Sequence, residues 1–577
     1  MMERVPALHI FKKNLYALFI TEQHDLAHQI AHCKGAPPLE TVLENSGKIN
    51  LRLTGWTRSL VHDTSNPHLI LNEIQNQQAE SSPIVLLGVG LGYELDSLLT
   101  YCSRIKKIYA YERYPEVLKL ALSLRDYSRE IISGKLVFLL ETDLHSLPWK
   151  DTPHLILHPV LGPVYEEEQR WWKKVSQLNR SAPIKCLVNT HGLLSRDVID
   201  TFLEMGISAF PLDVISLHPK QIASQVKKTS PDFVFTINYV KGLPEICAET
   251  GTFLVIWEID PTIELLSEND LASRAIHENT FIYTYRKKRV DYFRSLGFRK
   301  VKFLPLATNT RRYHPIGIEA AQEEKYGADV SYVGNSMYYQ AQWTTEKIFN
   351  LLRQQNCPDS IDEKLKYILK QQIRNSDFFY FPKFAQRILD EAGCPLIVND
   401  ETGRKIDVVL GLSEKIASER RFQAINSLEE FAKNRTVRVW GDDGWENGLA
   451  RSIIYSGPAG HFHELPIIYN ASRINLDINR IYQRDIVPLR IFDILACGAF
   501  VLAEDSRELG RFFKKGEEII SYRKISQIPE ICSYYLNHEA ERKEIAARGR
   551  QRVLKEHTLE HRLSTIIDDV KNELRIH

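Results

Sequence analysis

The chain has 577 residues, of which 74 are Lys or Arg and 73 Asp or Glu, and 44% are hydrophobic. This is an ordinary globular balance. It excludes wholesale disorder and a polyanion-binding surface built on bulk charge, so a nucleic-acid partner is not expected, although a local basic groove is compatible with it. At roughly 150 residues per domain the length implies three or four domains.

The pattern along the chain is short apolar strands alternating with amphipathic helices, the mark of α/β layers. In a first block, Ile84-Val85-Leu86-Leu87 predicts a strand, Gly88-Val89-Gly90-Leu91-Gly92 a tight turn, and Glu94 to about Cys102 a helix. Lys107 to Tyr111 reads as the next strand and ends on Glu112. A helix from Pro115 to Leu124 and strands at Leu136–Leu140 and His154–Leu157 follow. A second block starts near Ile184. Its expected strands are Cys186–Val188, Phe233–Ile237, Phe253–Trp257, Phe281–Thr284 and Val301–Leu306, with a helix from Ser195 to Met205 closed by Gly206. The third block opens on Asp329 to Asn335. A charged helical stretch from about Thr344 to Ala432 has no evident place in a sheet. Strands are then predicted at Val437–Trp440, Arg473–Asp477 and Ala499–Ala503, and a final helix at Leu563–Leu574.

No run of about 18 apolar residues is present, so no transmembrane helix is expected. The start, Met1-Met2-Glu3-Arg4-Val5-Pro6, lacks the apolar core of a secretory signal. Eight scattered cysteines form no C-x-x-C pair, so neither a zinc site nor a disulfide framework is indicated. A soluble, cytoplasmic multidomain protein is the resulting expectation.

The most informative stretch is Asp485 to Gly498. Pro488 can open a helix and Gly498 can end it. A helix start offers free N–H groups and a positive dipole end, which is an anion site. Arg490 would add a donor fork suited to phosphate, and Asp493, three residues on, shares its face. One could hold a diphosphate and the other a ribose diol; a plain surface ion pair would use the same spacing.

These residues carry a resemblance. Val330 to about Arg552 resembles the donor-binding lobe of GT-B glycosyltransferases, within them the group related to the spore-maturation protein CgeB. The similar pieces are Ser331-Tyr332-Val333-Gly334-Asn335, Val439-Trp440-Gly441, Leu465 to Ile474, and Leu489 to Gly498, with Glu517-Glu518-Ile519 as an acidic turn before the last strand. Asp232–Asn238, Val255–Pro261 and Leu304–Pro315 are similar to that group's N-terminal lobe. The resemblance implies a Rossmann-like domain over residues 1–180, an acceptor lobe over 181–325 and a nucleotide-sugar donor lobe over 326–577. It implies donor contacts at Gly334, Asn335, Arg490, Asp493 and Gly498. Many such sites have a Glu at the position of Asp493 and another eight residues on, where this chain has Val501; Glu504 or Asp505 would substitute.

No Asp-x-Asp metal motif is present; the nearest approach is Glu258-Ile259-Asp260. The implied chemistry therefore needs no metal, the departing diphosphate being met by a helix dipole and basic side chains. His191, before a helix in the second block, and Asp260, beyond a strand end, are the candidate bases, although a capping residue and an ordinary turn opener would read the same.

In the first block, Gly88, Gly90 and Gly92 followed by Glu112 have the shape of a nucleotide loop with a ribose acid, compatible with NAD, S-adenosylmethionine, or tight packing alone. The block resembles class I methyltransferases. It is also similar to the N-terminal region of the Maf group of flagellin-modifying proteins, on Val61 to Ile74 with its Asn66-Pro67. No Asn-Pro-Pro-Tyr-like motif follows the fourth strand; His158-Pro159 stands there. The implied partners are thus a nucleotide sugar and a protein or glycan acceptor such as flagellin, with a docking domain whose cofactor pocket is vestigial. The alternatives are a bifunctional glycosyl- and methyltransferase and a non-catalytic nucleotide-binding scaffold.

Overall fold

The computed structural model describes residues 4–21, 23–33, 39–44, 48–53, 61–62, 69–76, 82–140, 153–166, 168–170, 172, 183–214, 217–260, 278–375, 378–401, 403 and 405–574. Asn66-Pro67 and Pro261 lie outside them. The chain divides into two compact units, Met1–Val234 and Phe235–His577.

In the first unit, β1 (Leu39–Leu43) and β2 (Ile49–Leu53) form an antiparallel pair. Strands β3 (Ile84–Leu87), β4 (Ile108–Tyr111), β5 (Leu136–Leu139) and β6 (His154–Leu157) form a parallel sheet of order β5-β4-β3-β6. Every residue of β3 and β4 is buried. Strand period two sends Ile84, Leu86, Ile108 and Ala110 into one core and Val85, Leu87, Tyr109 and Tyr111 into another, so helices and loops cover both faces. Helix α1 (Tyr93–Tyr101) follows β3 through the glycine turn. Later in the unit, β7 (Lys185–Asn189) pairs in parallel with β8 (Ser208–Leu212), with α2 (Ser195–Glu204) between them. β8, which the sequence reading does not include, carries Pro211; it is an edge strand, where proline is tolerated.

The unit boundary falls inside β9 (Phe233–Ile237). The second unit continues with parallel β10 (Phe253–Glu258), β11 (Thr280–Thr284) and β12 (Lys300–Phe303). Its other sheet contains β13 (Ala328–Val333), β16 (Val437–Trp440), β17 (Ile454–Tyr455), β18 (Ser472–Leu476), β19 (Val501–Glu504) and β20 (Ile520–Tyr522). All are parallel, in the order β17-β16-β13-β18-β19-β20. Counted within the sheet this is 3-2-1-4-5-6, the doubly wound Rossmann order, whose switch point lies between β13 and β18.

The charged stretch that found no place in a sheet is an insertion between β13 and β16. It holds α3 (Tyr338–Gln354), α4 (Asp359–Arg374), α5 (Phe381–Glu391), a short hairpin of β14 (Ile397–Asn399) and β15 (Lys405–Asp407), and α6 (Val408–Asn426). Ile348, Leu352, Leu365, Phe381, Leu389 and Leu412 give it a core of its own. The α/β class is therefore as expected, with parallel sheets in both units.

Behind the switch point, the helix α7 (Leu489–Ala496) lies against the long helix Glu539–Glu556, which has Gly549 at the crossing. A Cβ there would collide with the Glu518 carbonyl and lie 2.7 Å from Leu495 Cδ2. In a helix interior Gly→Ala ordinarily stabilises by about 1 kcal/mol. Here Gly549→Ala is predicted to destabilise by about 1–3 kcal/mol through overpacking, read as a lower Tm.

Candidate functional site

At the switch point the backbone prepares an opening. β13 ends on Gly334-Asn335, and Gly334 N donates to the Trp440 carbonyl at 2.9 Å. Trp445 Nε1 donates to the Gly334 carbonyl at 2.8 Å. The loop after β16 approaches so closely that a Cβ on Gly441 would strike the Gly334 carbonyl. Asn335 Oδ1 accepts from Met337 N at 2.6 Å, and Met337 itself is held at φ 62°. Asn335 is exposed at the rim.

On the other side of the switch point, α7 begins after Pro488, and no side chain caps it. Ile491 N is bonded to the Pro488 carbonyl, so the amides of Leu489 and Arg490 are the ones left to face outward. Arg490 reaches across to β13. Its Nη1 lies 3.1 Å from where a Gly334 Cβ would be, and its guanidinium stands 5.4 Å from the Tyr332 ring centre. That Nη1 is buried and meets no well-aligned acceptor.

Two further arginines converge here. Arg421 of α6 is buried and donates through Nη1 to the Asn335 carbonyl. Arg480 follows β18. Burial lowers the pKa of Arg421, and repulsion from Arg490 and Arg480 lowers it further, against Tyr332. Arg490 and Arg480 thus both crowd Arg421 with positive charge near an uncapped helix start, an arrangement that favours an anion. Its acids are Asp477, which is 1% exposed, and Glu504. Glu504 Oε1 accepts from Arg420 Nη2 at 2.7 Å and Arg484 Nη2 at 3.1 Å. Arg490 Nε stands 3.6 Å from Asp477 Oδ1, beyond hydrogen-bond reach.

Of the expected donor residues, Gly334, Asn335, Arg490, Asp493 and Glu504 are all in this lobe's β13, α7 and β19 termini, and Asp493 is buried in the first turns of α7. Gly498 has another task. At φ 70° it ends α7, with Ala499 N bonded back to the Ile494 carbonyl, and it stands at the far end of the helix from Arg490. Asp505 is corrected too: Lys515 Nζ at 2.6 Å and Arg523 Nε at 3.1 Å hold it. Arg421, Arg480 and Asp477 were not anticipated. Arg480 and Asp477 follow a predicted strand end, which was the available signal.

Of the base candidates, His191 lies after β7 with its Nε2 2.8 Å from Asp213 Oδ1, half-exposed. Asn189 braces that turn, its Oδ1 accepting from His191 N at 3.2 Å. With Nε2–H donated to Asp213, the other ring nitrogen is left as a proton acceptor. Asp260 is exposed. Asn238, at φ 58°, accepts from Ile259 N and Asp260 N through its Oδ1, so this pair shapes a turn beyond β9 and β10.

The glycine turn of the first unit differs from its expected use. Glu112 is wholly buried; its Oε2 accepts from Val89 N and Gly90 N, both at 3.1 Å, and its Oε1 from Tyr165 OH at 2.6 Å and Tyr114 N at 3.2 Å. It is therefore the internal cap of the turn and has no lone pair left for a ribose diol. Leu91 N donates to His62 Nε2 at 2.8 Å, and Gly92 N to the Val89 carbonyl at 2.9 Å. A Cβ on Gly90 would lie 2.5 Å from His62 Nε2, and one on Gly88 would lie 2.8 Å from Leu161 Cβ; one on Gly92 would strike the Tyr127 hydroxyl. The protein's own side chains fill the cradle.

His62 is placed by Asn50 of β2, whose side chain bonds both its amide and its carbonyl. His62 Nδ1 and His158 Nε2 lie 2.6 and 3.1 Å from Glu94 Oε2, a spacing that also suits a metal ion. The donor chemistry does not fit one. His62 Nε2 accepts from Leu91 N, and His158 Nδ1 accepts from Val160 N and Leu161 N. The nitrogens facing Glu94 therefore carry the protons, whereas a metal-bound imidazole donates from its remote nitrogen. Burial lowers the pKa of His62. Burial alone would raise Glu94, but His158 and His62 hold it well below the usual carboxylate range.

Residues 420–568 match the family model described as Glycosyl transferase-like. No curated protein sequence matches the chain. Among solved structures, it is similar to Anabaena HepE in complex with UDP and glucose, at 11% identity over 67% of this chain and 100% of that one, with a TM-score of 0.40. A glycosyltransferase from Rickettsia africae gives 11% identity over 68% and 98%, at 0.42. The MAf glycosyltransferase from Magnetospirillum magneticum gives 13% over 52% and 64%, at 0.21.

Two outcomes are expected for the first unit. Titration with S-adenosylmethionine should give no binding heat, because the turn amides and Glu112 are already satisfied. Acid should destabilise this unit. The folded pKa of His62 lies below its unfolded value of about 6.5, so as pH falls below that value the unfolded chain binds the extra proton. Stability then drops by up to about 1.4 kcal/mol per pH unit, and Glu94 adds a further loss below about pH 4.3. Thermal melts between pH 7 and 5 check this, a flat profile being the contrary result.

Proposed function

We propose that the chain is a glycosyltransferase that moves a sugar from a nucleotide-sugar donor to an acceptor. The observation that carries this reading is Arg490: its Nη1 meets no carboxylate and faces the glycine end of β13 beside the Tyr332 hydroxyl and an uncapped helix start. The glycosyl transferase-like match over residues 420–568 supports it.

In this reading the second unit's Rossmann-order sheet is the donor lobe, within residues 326–577. The 181–325 region supplies the acceptor side, and residues 1–180 serve as a docking domain. Cleavage of the sugar–phosphate bond leaves negative charge on the departing diphosphate. The start of α7, Arg490, Arg421 and Arg480 already point positive charge at it, so little reorganisation is needed in the transition state. Asp493 takes the ribose diol. His191, oriented by Asp213, is the candidate base for the acceptor hydroxyl. The acceptor is a protein or glycan; the likeness of the first block to the Maf group makes flagellin the first to try. A cytoplasmic location, where the donor is made, belongs to the same reading.

The test is donor turnover with a panel of UDP-, GDP- and ADP-sugars. Arg490→Ala should lower turnover by about 10²–10³-fold while the Tm shows a folded chain. His191→Ala should lower kcat by about 10²–10⁴-fold without weakening donor binding. An Arg490→Ala enzyme as active as the parent refutes the reading.

A further inference from the structure

Asp477 is the odd member of the anion site. It follows β18 at the switch point, is 1% exposed, and no side chain donates a hydrogen bond to its carboxylate, which is left with the backbone of Glu504 alone. A buried carboxylate so thinly supplied with donors is costly and has three remedies: a donor brought by a ligand, a cation, or a proton. The groups that face it decide among these. Arg490 of α7 is nearest, at 3.6 Å from Nε to Oδ1. Arg421 of α6 attracts it from a second side, and Glu504 of β19 repels it from a third. Tyr469, on the helix Glu464–Ala471, and Tyr522 of β20 also feel its charge; the Tyr522 hydroxyl donates to the Asp477 backbone carbonyl at 2.9 Å, not to its side chain. Burial and the Glu504 charge outweigh the two arginines and the Glu504 backbone hydrogen bond, and the carboxyl is pushed up to about 6.

Resting on the nucleotide-sugar reading above, we propose that Asp477 is an affinity-setting counter-ion of the donor site, competing with the diphosphate for Arg490 and taking up a proton when the donor binds. A diphosphate seated at the start of α7 brings two negative charges to the guanidinium that Asp477 already faces. The added charge raises the proton affinity of a buried carboxylate that Glu504 already repels, and Glu504 itself stays paired with Arg420 and Arg484. The cheapest adjustment is protonation of Asp477, from solvent, with no bond made or broken elsewhere. Its protonated oxygen also gains a donor for the lone pairs around it.

The sign follows from linkage. Below about pH 6, Asp477 is already protonated and donor affinity is flat. Above it, until the pKa of the complex is passed, affinity falls as pH rises, approaching tenfold per pH unit. Nucleotide sugars suit the measurement, since their diphosphate is a diester with no proton titrating in this range.

The experiment is calorimetry of UDP-, GDP- and ADP-glucose binding at pH 7.5 in HEPES and in Tris, whose protonation heats differ, followed by affinity against pH. The wild type should take up a proton, approaching one per donor bound. Asp477→Asn, confirmed folded by its Tm, should take up none, lose the pH dependence, and bind about tenfold or more tighter than wild type at pH 8. An acceptor of donor hydroxyls or a merely structural residue predicts the reverse, weaker binding by Asp477→Asn, and that result overturns the proposal. So does buffer-independent heat in the wild type, which needs no variant. Arg490→Lys separates the two layers of inference. If it binds donor as tightly as wild type, or no nucleotide sugar binds wild type at all, the site reading fails together with this one. If it weakens binding while wild-type heats are buffer-independent, only the role of Asp477 fails.

Discussion

Positive charge gathered at the strand ends and only partly met by acids is the constraint around which the second unit's larger parallel sheet is arranged. Arg480 and Arg490 both repel the buried Arg421 at the carboxyl end of the central strands. Such a cluster is tolerable only if acids nearby offset part of it and rigid elements keep the side chains from escaping to solvent. Glu504 fixes Arg420 and Arg484, Asp477 faces Arg490, and the carbonyl of Asn335 takes a hydrogen bond from Arg421. Only part of the positive charge is cancelled, and the remainder is the binding energy available to a ligand.

The rigidity comes partly from another sheet of the same unit. Arg286, just past β11, makes a two-pronged contact with Asp485, at 3.1 Å through Nε and 2.7 Å through Nη2. Beside it, Gln483 Nε2 donates to the Tyr285 hydroxyl at 3.1 Å. Asp485 precedes Pro488 by one short loop, so the start of α7 is held by contacts to the end of β11 as well as by its own strand. The chain behind β11 is tied down in turn, Arg289 and Thr284 both engaging Glu258 of β10. The anion site is therefore a property of two sheets of the unit.

Much of this was legible in the sequence. Parallel strands buried on both faces leave unbroken apolar runs, and Ile84–Leu87 or Phe233–Ile237 can be read directly. Helix punctuation made Pro488 to Gly498 readable as well. What failed did so for physical reasons. β17 and β20 have two and three residues, too few for any period to register. Glu504 and Asp505 read as interchangeable acids. Near the end of a strand, neighbours point to opposite sides, so one meets Arg420 and Arg484 and the other Lys515 and Arg523. Arg421 and Arg480 reach the site from a helix and a loop far apart in the chain. His62, Glu94 and His158 are likewise gathered only by folding.

The two glycine-bearing strand ends of this chain make a controlled comparison. Both follow the first strand of a parallel sheet, and both bring backbone close to whatever lies beyond. At Gly88–Gly92 the amides are met by Glu112, His62 and a neighbouring carbonyl, and the space a ligand would need is taken by imidazole, phenol and leucine. At Gly334 the side chains that come closest are the Tyr332 hydroxyl and the Arg490 guanidinium, and the helix start opposite has no cap. The fold supplies the same cradle twice, and the side chains standing over it decide which one is left for a ligand. A sequence motif that records only the glycines cannot tell the two apart, because the difference lies in residues that arrive from elsewhere in the chain.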